Sequence, residues 1–386
     1  MRIFKNFFKK IFEPFSDRGK GHQPDLFLLS ILIILTVFGL IVLSSASAVI
    51  AFQNFHNSYF FLRNQIINGL LPGLILFFIM LKIDYHQWKK WSFWLFAVTV
   101  LFLVLVFVPG LGQTYGGSTR WLNIFGFHFQ PSEISKLTFL IYLASWLEKR
   151  GERGIRDLRL GFLPFLFILL IMMFLVLMQP DLGTMIIITL IGVVVYFVAG
   201  ASYKHIGGLI FVGVFLLVLL ILLAPYRMAR LTAFLNPNVD PQGIGYHISQ
   251  AKIAIGSGGI LGMGLGQSRQ KYNYLPEVTG DSIFAVLAEE LGLLFSIVLV
   301  ILFLIILIRG FKIARTSSDR YGQLIAAGIT SWICFQAFIN IAAMVALVPL
   351  TGIPLPFVSY GGTALSILLA ASGLLLNISK TTKISE

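Results

Sequence analysis

The sequence has few charged residues and a single cysteine. Lys, Arg, Asp and Glu make up 12% of its 386 residues and only 16 residues are acidic, whereas 57% are hydrophobic. This composition excludes a water-soluble globular protein. Cys334 lies inside a long apolar run, so no disulfide and no thiolate metal site can form within one chain, and we interpret it as a small buried apolar side chain.

The chain also lacks the short motifs of many soluble enzymes. Its six histidines are scattered without metal-ligand spacing, and neither a Walker pattern nor a Ser-His-Asp pattern is present. The GMGLGQ stretch at 262–267 follows no predicted strand and has the wrong spacing for a dinucleotide loop. No internal repeat is convincing, which weakens the hypothesis of an inverted-repeat transporter.

Long hydrophobic runs are abundant. A run of about 18 or more apolar residues predicts a helix that spans a bilayer. The sequence therefore predicts an all-α polytopic membrane protein of about ten transmembrane helices, with a large extracytoplasmic loop between the seventh and the eighth. The predicted spans, of which the fourth and sixth are short, are 26–51, 60–81, 91–108, 132–147, 162–178, 185–199, 205–223, 282–308, 323–347 and 361–378.

Positive charge is distributed unevenly between the predicted loops. If both termini are cytoplasmic, most of the 29 Lys and Arg residues fall on the cytoplasmic side, as the positive-inside rule requires. This topology predicts a basic segment at 1–24, a membrane domain at 25–379 and a cytoplasmic tail at 380–386. The external loop at 224–281 is predicted to form short helices and turns. The net charge of +13 then indicates contact with anionic lipid rather than nucleic-acid binding.

Ionisable residues near the predicted spans collect on the outer side. A charge inside a bilayer costs on the order of several kcal/mol, so such residues are functional candidates. Their clustering predicts an outer cleft that binds a polar, anionic group. The residues are Arg63, Arg120, Glu133, Lys136, Asp181, Glu277, Asp281, Glu289 and Glu290.

Each of these residues also has a structural interpretation. Asp281 directly precedes the eighth predicted helix and could cap it, which is worth about 1 kcal/mol. Glu133 and Lys136 are three residues apart on one helix face and could form an ion pair. Arg120 alone is more often a headgroup anchor. The glutamates at 289–290 could lie above the hydrocarbon or contact a partner helix.

Five segments resemble, in order, the signature segments of the SEDS family (shape, elongation, division and sporulation), whose members polymerise peptidoglycan from lipid II. The resemblance covers nearly the whole chain from the first to the tenth span. The stretch GLGQSRQKYNYLPE is more similar to the division-type FtsW group than to the elongation-type RodA group. The segments are STRWLN with QPSEISK, QPDLGT, GYHISQAKIAIGSGGILGMGLGQS, YLPEVTGDSIFAVLAEELG and VPLTGIPLPFVSYGG.

The resemblance implies where the family's essential aspartate lies. That residue follows the glutamate of a Pro-Glu motif by four positions, which places it at Asp281, after Glu277. This sequence reads PEVTGDSIF where many relatives have His-Thr-Asp-Phe, so Gly280 and Ser282 are departures while the carboxylate and its spacing are kept.

The resemblance also implies roles for the other polar residues. Arg63 matches a basic residue at the second span of the family. Lys136 and Asp181 match a polar pair below the cleft, so a Lys136–Asp181 contact competes with the Glu133–Lys136 pair. We expect all of these residues, together with Arg120 and Glu277, to contribute to substrate binding.

The chemistry that the resemblance implies fits these residue types. A sugar 4-hydroxyl attacks the anomeric carbon of a sugar linked to undecaprenyl pyrophosphate, and Asp281 accepts the hydroxyl proton as general base. Burial, or Glu277 nearby, is expected to raise the pKa of Asp281. Arg63, Arg120 and a divalent cation, Mg²⁺ or Mn²⁺, are candidates for stabilising the leaving pyrophosphate. The sequence neither requires nor excludes that cation, and no other cofactor is expected.

The expected partners are lipid II, membrane lipid, a class B penicillin-binding protein (a transpeptidase) and other divisome membrane proteins, and no nucleic acid. The expected location is the bacterial cytoplasmic membrane. The main alternative is a lipid II flippase, which should carry polar residues at midplane and in the cytoplasmic halves of its spans, where this chain has few. An elongation-type RodA role and a structural scaffold are the remaining alternatives.

Overall fold

The computed structural model describes residues 22–115, 118–124, 126–236 and 243–382. Within these ranges the chain is a bundle of helices with one small sheet. Turns of π-helix occur in α2 at Ile66–Leu70 and at the start of α5 at Leu158–Phe162. The helices are α1 (Leu26–Phe55), α2 (Phe60–Lys82), α3 (Tyr85–Leu105), α4 (Pro131–Arg156), α5 (Leu158–Met178), α6 (Leu182–Val198), α7 (Tyr203–Leu222), α8 (Pro225–Leu235), α9 (Ile244–Gly258), α10 (Ile283–Thr316), α11 (Arg320–Met344) and α12 (Gly362–Ser379).

Each of the ten predicted spans corresponds to one helix, α1 to α7 or α10 to α12. Eight of the described helices are long and apolar enough to cross a membrane, and α6 is apolar but shorter. The prediction of an all-α polytopic membrane protein is therefore confirmed, whereas the number of spans stays a prediction. Some bounds differ, since α3 begins at Tyr85 and ends at Leu105 where the hydropathy pattern predicted 91–108.

The connection at 109–131 contains the sheet, which the sequence analysis did not predict. It has three antiparallel strands in the order β1 (Gly112–Tyr115), β2 (Ser118–Ile124) and β3 (Phe127–Phe129). Gly126 has a φ of 84° in the turn between β2 and β3, a conformation that glycine adopts without strain.

The long loop at 224–281 forms α8, α9 and a series of turns, as predicted. The predicted basic segment at 1–24 falls, up to residue 21, outside the described residues, and so do residues 383–386 of the predicted tail.

Hydrogen bonds join the two described ends of the chain at one end of the bundle, and an ion pair joins the first of these ends to α10. The Asp25 carboxylate is 2.7 Å from the guanidinium of Arg309, at the far end of α10. The backbone N–H of Asp25 donates to Ser379 Oγ at 3.0 Å, and His22 Nε2 lies 2.7 Å from the carbonyl oxygen of Thr382. The first and last described residues therefore lie on the same side, which supports an even number of spans.

Helix α10 is broken at Gly292, whose φ is 76°. The segment 259–264 lies against this break, and the backbone N–H of Met263 donates to the carbonyl oxygen of Glu289 at 3.0 Å. A Cβ on Gly292 would lie 2.3 Å from the backbone nitrogen of Gly262, so no larger residue fits. Irregular backbone beside a membrane helix is stable here because the segment 259–264 supplies its hydrogen bonds.

Candidate active site

Asp281 lies in the turn before α10, and the backbone of this turn is held by side chains from elsewhere. The amide of Asn340 on α11 donates to the carbonyl oxygen of Asp281 at 2.8 Å. The hydroxyl of Ser359, in the segment before α12, donates to the carbonyl oxygen of Gly280 at 2.6 Å. Both contacts involve backbone atoms, so they fix the turn without using the Asp281 carboxyl group.

The carboxyl group of Asp281 has an incomplete set of hydrogen bonds. The residue is partly exposed, but Oδ1 is buried and has no hydrogen-bond partner. Burial raises the pKa of Asp281 to about 6, and the nearby positive charge of Arg230 opposes that rise. A carboxyl group in this state can accept a proton at neutral pH and is a stronger base than an ordinary aspartate.

The alternative role of Asp281 as a helix cap is wrong. Helix α10 begins at Ile283, so the capping position belongs to Ser282. The backbone N–H of Ser282 donates to the carbonyl oxygen of Glu277 at 3.2 Å, which closes a turn around Asp281. Asp281 therefore lies one residue too early to cap the helix.

Glu277 is exposed at the other end of this turn and has a φ of 52°. Partial burial and the negative charge of Asp281 raise the pKa of Glu277, while His247 lowers it. The charge of Asp281 therefore acts on the pKa of Glu277, whereas Glu277 is not among the causes of the raised pKa of Asp281. Burial is the main cause of the raised pKa of Asp281.

Sequence reasoning missed two residues beside Asp281. Arg230 on α8 donates from Nη1 to the carbonyl oxygen of Leu350 at 3.1 Å and favours the charged form of Asp281. His247 on α9 places Nε2 2.6 Å from Ser282 Oγ. In the sequence, Arg230 is one of the cations of the predicted external loop, and His247 is one of six histidines without metal-ligand spacing. Neither pattern indicated a position beside Asp281. The packing of α8 and α9 near the start of α10 brings them together.

Glu133 and Lys136 form the predicted ion pair at the start of α4, with Lys136 Nζ 2.7 Å from a carboxylate oxygen of Glu133. Both side chains are buried, and Lys136 also donates to Gln336 Oε1 at 3.2 Å. The competing Lys136–Asp181 contact is wrong, because Asp181 caps α6 instead. Its Oδ1 accepts the backbone N–H of Thr184 at 3.0 Å and its Oδ2 accepts the Thr184 hydroxyl at 2.9 Å.

Arg120 holds the turn between α5 and α6. Its Nε donates to the carbonyl oxygen of Gln179 at 3.1 Å, and its Nη2 donates to that of Pro180. Arg63 is exposed near the start of α2 and is not among the groups that shift the pKa of Asp281. A polar cavity of about 190 Å³ lies beside Arg120, and the polar side chains that line it are Arg120, Gln130, Glu133, Asp181, Thr184 and Tyr360.

Glu289 and Glu290 have a structural role. Glu290 accepts from Lys271 Nζ at 2.9 Å and from the hydroxyl of Ser45 on α1 at 2.6 Å. Glu289 accepts from the backbone N–H of Arg269 at 3.0 Å. Both glutamates are buried, and together they attach the segment around residue 270 to α10 and α1.

Among the residues in the described ranges, no three His, Cys, Asp or Glu side chains are grouped so that they could hold a metal ion. The Mg²⁺ or Mn²⁺ ion considered from the sequence therefore stays a prediction.

Residues 25–384 match the cell cycle protein family of FtsW, RodA and SpoVE. This chain belongs to that family. The match confirms the SEDS resemblance. Stage V sporulation protein E of Bacillus subtilis (strain 168) is 43% identical over 94% of this chain and 99% of that protein. A probable peptidoglycan glycosyltransferase FtsW of Trichlorobacter lovleyi is 40% identical over 94% of this chain and 95% of that protein.

Solved structures related to the FtsW, RodA and SpoVE family share the fold. A chain from a peptidoglycan synthase complex that coordinates polymerization and crosslinking has a TM-score of 0.77 and 27% identity, over 94% of this chain and 99% of that chain. The rod shape determining protein RodA of Thermus thermophilus has a TM-score of 0.68 and 26% identity, over 94% of this chain and 98% of that chain.

Proposed function

We propose that this protein is a peptidoglycan glycosyltransferase that polymerises lipid II at the outer face of the cytoplasmic membrane during cell division. The observation that carries the proposal is the Asp281 carboxyl group, which lies on a fixed turn with one oxygen unpaired and a pKa raised to about 6. Relatives that are about 40% identical and named probable peptidoglycan glycosyltransferase FtsW support the class of reaction.

In the proposed mechanism Asp281 removes the proton from a sugar 4-hydroxyl. The hydroxyl oxygen then bonds to the anomeric carbon of a second, lipid-linked sugar, and the bond from that carbon to the pyrophosphate oxygen breaks. Pyrophosphate leaves with the electron pair and needs no acid to protonate it, so a single carboxyl group suffices, whereas glycosidases use two. We propose Arg63 and Arg120 as the cations for the pyrophosphate. Glu133, Lys136 and Asp181 are proposed to contribute to substrate binding.

An apolar groove between α1 and α2 suits the hydrocarbon chain of such a substrate. Its volume is about 650 Å³, and the segment from Leu265 to Tyr272 lines its outer end. Polyisoprenoid chains are stabilised by apolar walls, while their headgroups stay in water. The lining residues that give the groove its apolar character are Val37, Leu40, Ile41, Leu62, Ile66 and Leu265.

We infer that the protein acts with a class B penicillin-binding protein and other divisome membrane proteins. The similarity to a chain of a synthase complex that coordinates polymerization and crosslinking supports a transpeptidase partner. Several relatives named FtsW support the division role over the elongation role. The second candidate function is the same polymerisation reaction at a different stage of the cell cycle. The similarity to a stage V sporulation protein supports it.

The test uses purified protein with its transpeptidase partner, and lipid II as substrate. We expect glycan chains from the wild type and a rate lower by roughly 10²–10⁴-fold for Asp281→Asn, because the amide cannot accept the proton. The matched control is Asp157→Asn, an exposed cap of the α5 start that asparagine can replace.

If Asp281→Asn polymerised lipid II at the rate of the control, the assignment of Asp281 as the general base would be wrong. Transfer of lipid II across vesicle membranes by the wild type, without any polymer, would favour the flippase.

The proposed topology places both termini in the cytoplasm and residues 224–281 outside. A cysteine at position 238, in a protein without Cys334, should react with a membrane-impermeant reagent in intact cells, or in spheroplasts if an outer membrane intervenes. Reaction only after lysis would reverse the topology.

A further inference from the structure

Helix α9 follows the first part of α10 down to the break in that helix. At the upper end of α9, Nε2 of His247 lies 2.6 Å from Oγ of Ser282, the residue before α10. Just below the lower end of α9, the carbonyl oxygen of Gly259 accepts the backbone N–H of Leu293 at 2.9 Å. Helix α9 therefore descends from the start of α10 to the level of its break.

The chain reverses direction directly below α9, at Ile260 and Leu261, which we call the tip. The carbonyl oxygen of Ile260 accepts the backbone N–H of Leu294 at 3.2 Å. After the reversal, the backbone N–H of Gly264 donates to the carbonyl oxygen of Glu290 at 2.9 Å. Because Leu294 lies further from the start of α10 than Glu290, the tip is the lowest part of a segment that runs down beside α10 and returns.

The charge pattern of α10 gives the depth of the tip. The 18 residues at 291–308, between Glu290 and Arg309, include no charged residue. At 1.5 Å per residue this run is about 27 Å long, close to the hydrocarbon thickness of about 30 Å. Arg309 is paired with Asp25 where the described ends of the chain meet, so it marks the opposite membrane surface. Leu294 therefore lies inside the outer boundary of the hydrocarbon, and the tip lies at the same depth.

The side chains of the tip are apolar and uncovered by the described chain. Ile260 is 69% exposed and Leu261 is 78% exposed. Leu293 and Leu294 beside them are also exposed, and their place in the apolar run of α10 makes acyl chains their neighbours. The hydrogen bonds to α10 satisfy backbone groups of the tip, which a position inside hydrocarbon requires. The lipid-facing surface of α10 therefore continues onto the tip.

The charge around the tip suits a position below anionic headgroups. Residues 244–276 contain no acidic residue. The exposed cations on either side of the tip are Lys252 on α9 and Arg269 after the reversal. Cations near a membrane surface attract anionic headgroups, while the acyl chains below take up apolar side chains. The order cation, apolar tip, cation fits a segment that enters the membrane surface and returns.

We propose that residues 253–265 form a re-entrant segment whose tip inserts between the acyl chains of the outer leaflet. The leaflet is the outer one because the proposed topology places 224–281 outside. The inference goes beyond the proposed function, since it assigns a lipid-binding surface to a loop that the sequence predicted to be external. Leu265 and Gly266, which follow the tip, line the apolar groove between α1 and α2. The inserted tip therefore holds the outer end of that groove beside the lipids of the outer leaflet.

The test measures the depth of the tip in liposomes of phosphatidylcholine and phosphatidylglycerol. In protein without Cys334, a fluorescent NBD label is placed on a single cysteine introduced by Leu261→Cys, Val298→Cys or Lys252→Cys. Val298 is an exposed residue in the apolar run of α10 and serves as the reference for a lipid-facing position. Lys252 is the matched control, since it is exposed on the same segment but lies further up α9. The quenchers are lipids with a doxyl group on the acyl chain, and iodide in the water on both sides.

We expect the doxyl lipids to quench the label at position 261 almost as strongly as the label at position 298, and several times more strongly than the label at position 252. Iodide should give the opposite order, because water is excluded from the hydrocarbon. A doxyl group near the carbonyl end of the acyl chain should quench position 261 more than one near the methyl end, since the tip lies close to the outer boundary.

Quenching of the label at position 261 by iodide and not by the doxyl lipids would overturn the insertion and leave the tip in water. Protection of that label from both quenchers would also overturn it, and would assign the tip to a contact with a second copy of this chain. The measurement uses neither lipid II nor a transpeptidase. A failure of the proposed glycosyltransferase activity would therefore leave the quenching result unchanged.

Discussion

The stretch from Tyr274 to Gly292 contains two pairs of carboxyl groups in opposite environments. Glu289 and Glu290 are buried and accept hydrogen bonds from backbone N–H groups, hydroxyls and the Lys271 ammonium. Glu277 and Asp281 have raised pKa values, and one oxygen of Asp281 has no partner. The residue types are almost the same, but the exposure of the side chains and the donors around them differ.

This difference in environment distinguishes carboxylates that stabilise the fold from carboxyl groups that can take part in a reaction. A carboxylate whose oxygens are occupied by donors holds segments of chain together and is costly to disturb. A carboxyl group that is desolvated but not paired keeps the capacity to accept a proton. The first pair should therefore control stability and the second pair activity, and the following experiments test that division.

The largest effect on stability is expected for Glu290→Ala. The change leaves the Lys271 ammonium buried without its carboxylate partner and removes the acceptor of the Ser45 hydroxyl. Breaking a buried pair in this way costs roughly 3–5 kcal/mol. Thermal and denaturant unfolding of the detergent-solubilised protein measures the loss in free energy of unfolding.

The control for Glu290 is Glu152→Ala, since the side chain of Glu152 is 64% exposed and lies 3.6 Å from Arg320. An exposed pair contributes only about 0–1 kcal/mol. Equal stability of the two variants would contradict the structural role of Glu290.

The second effect concerns the ion pair of α4. Lys136→Ala leaves Glu133 buried without its partner, and we expect a loss of roughly 3–5 kcal/mol, reduced if water enters the adjacent polar cavity. Lys149→Ala, an exposed lysine on the same helix, is the matched control. If both variants unfold at the same temperature, the pair contributes nothing and Lys136 is free for a role in binding.

Hydropathy predicted much of the fold because burial in a membrane follows composition along the chain. Each of the ten predicted apolar runs corresponds to a helix in the structure, and the loop at 224–281 forms short helices and turns. The sheet at 112–129 was missed because its strands are short and lie outside the apolar runs. The break at Gly292 was missed because its hydrogen bonds come from residues about thirty positions earlier.

The residues of the candidate site could be predicted only where they lie close together in one segment of the sequence. Asp281 and Glu277 share a motif, and Glu133 and Lys136 share a helix face. The pairing of Asp181 could not be predicted because its oxygens are taken by the first turn of α6. Arg230 and His247 reach Asp281 only through the packing of α8 and α9, which no local pattern encodes.

The third prediction concerns the charge opposite Asp281. Arg230→Gln removes the cation that favours the carboxylate, so the pKa of Asp281 should rise from about 6. Because the base must be deprotonated, the acid limb of the rate profile should move to higher pH. One pKa unit is tenfold in proton affinity, so the rate near pH 6 should fall by up to about tenfold while the rate at pH 8 is kept. A fall at pH 8 instead would assign Arg230 to the leaving pyrophosphate.

The smallest effect is expected for Glu277→Gln. Glu277 is exposed and interacts with Asp281 by charge alone, so its loss should leave polymerisation within about tenfold of the wild type, the scale of one pKa unit. Removing a neighbouring carboxylate can only lower the pKa of Asp281 or leave it unchanged. The acid limb of the rate profile should therefore stay in place or move to lower pH, opposite in sign to the Arg230 variant. If Glu277→Gln loses as much activity as Asp281→Asn, with the same unfolding temperature as the wild type, then Glu277 accepts the proton and Asp281 is the residue that tunes it.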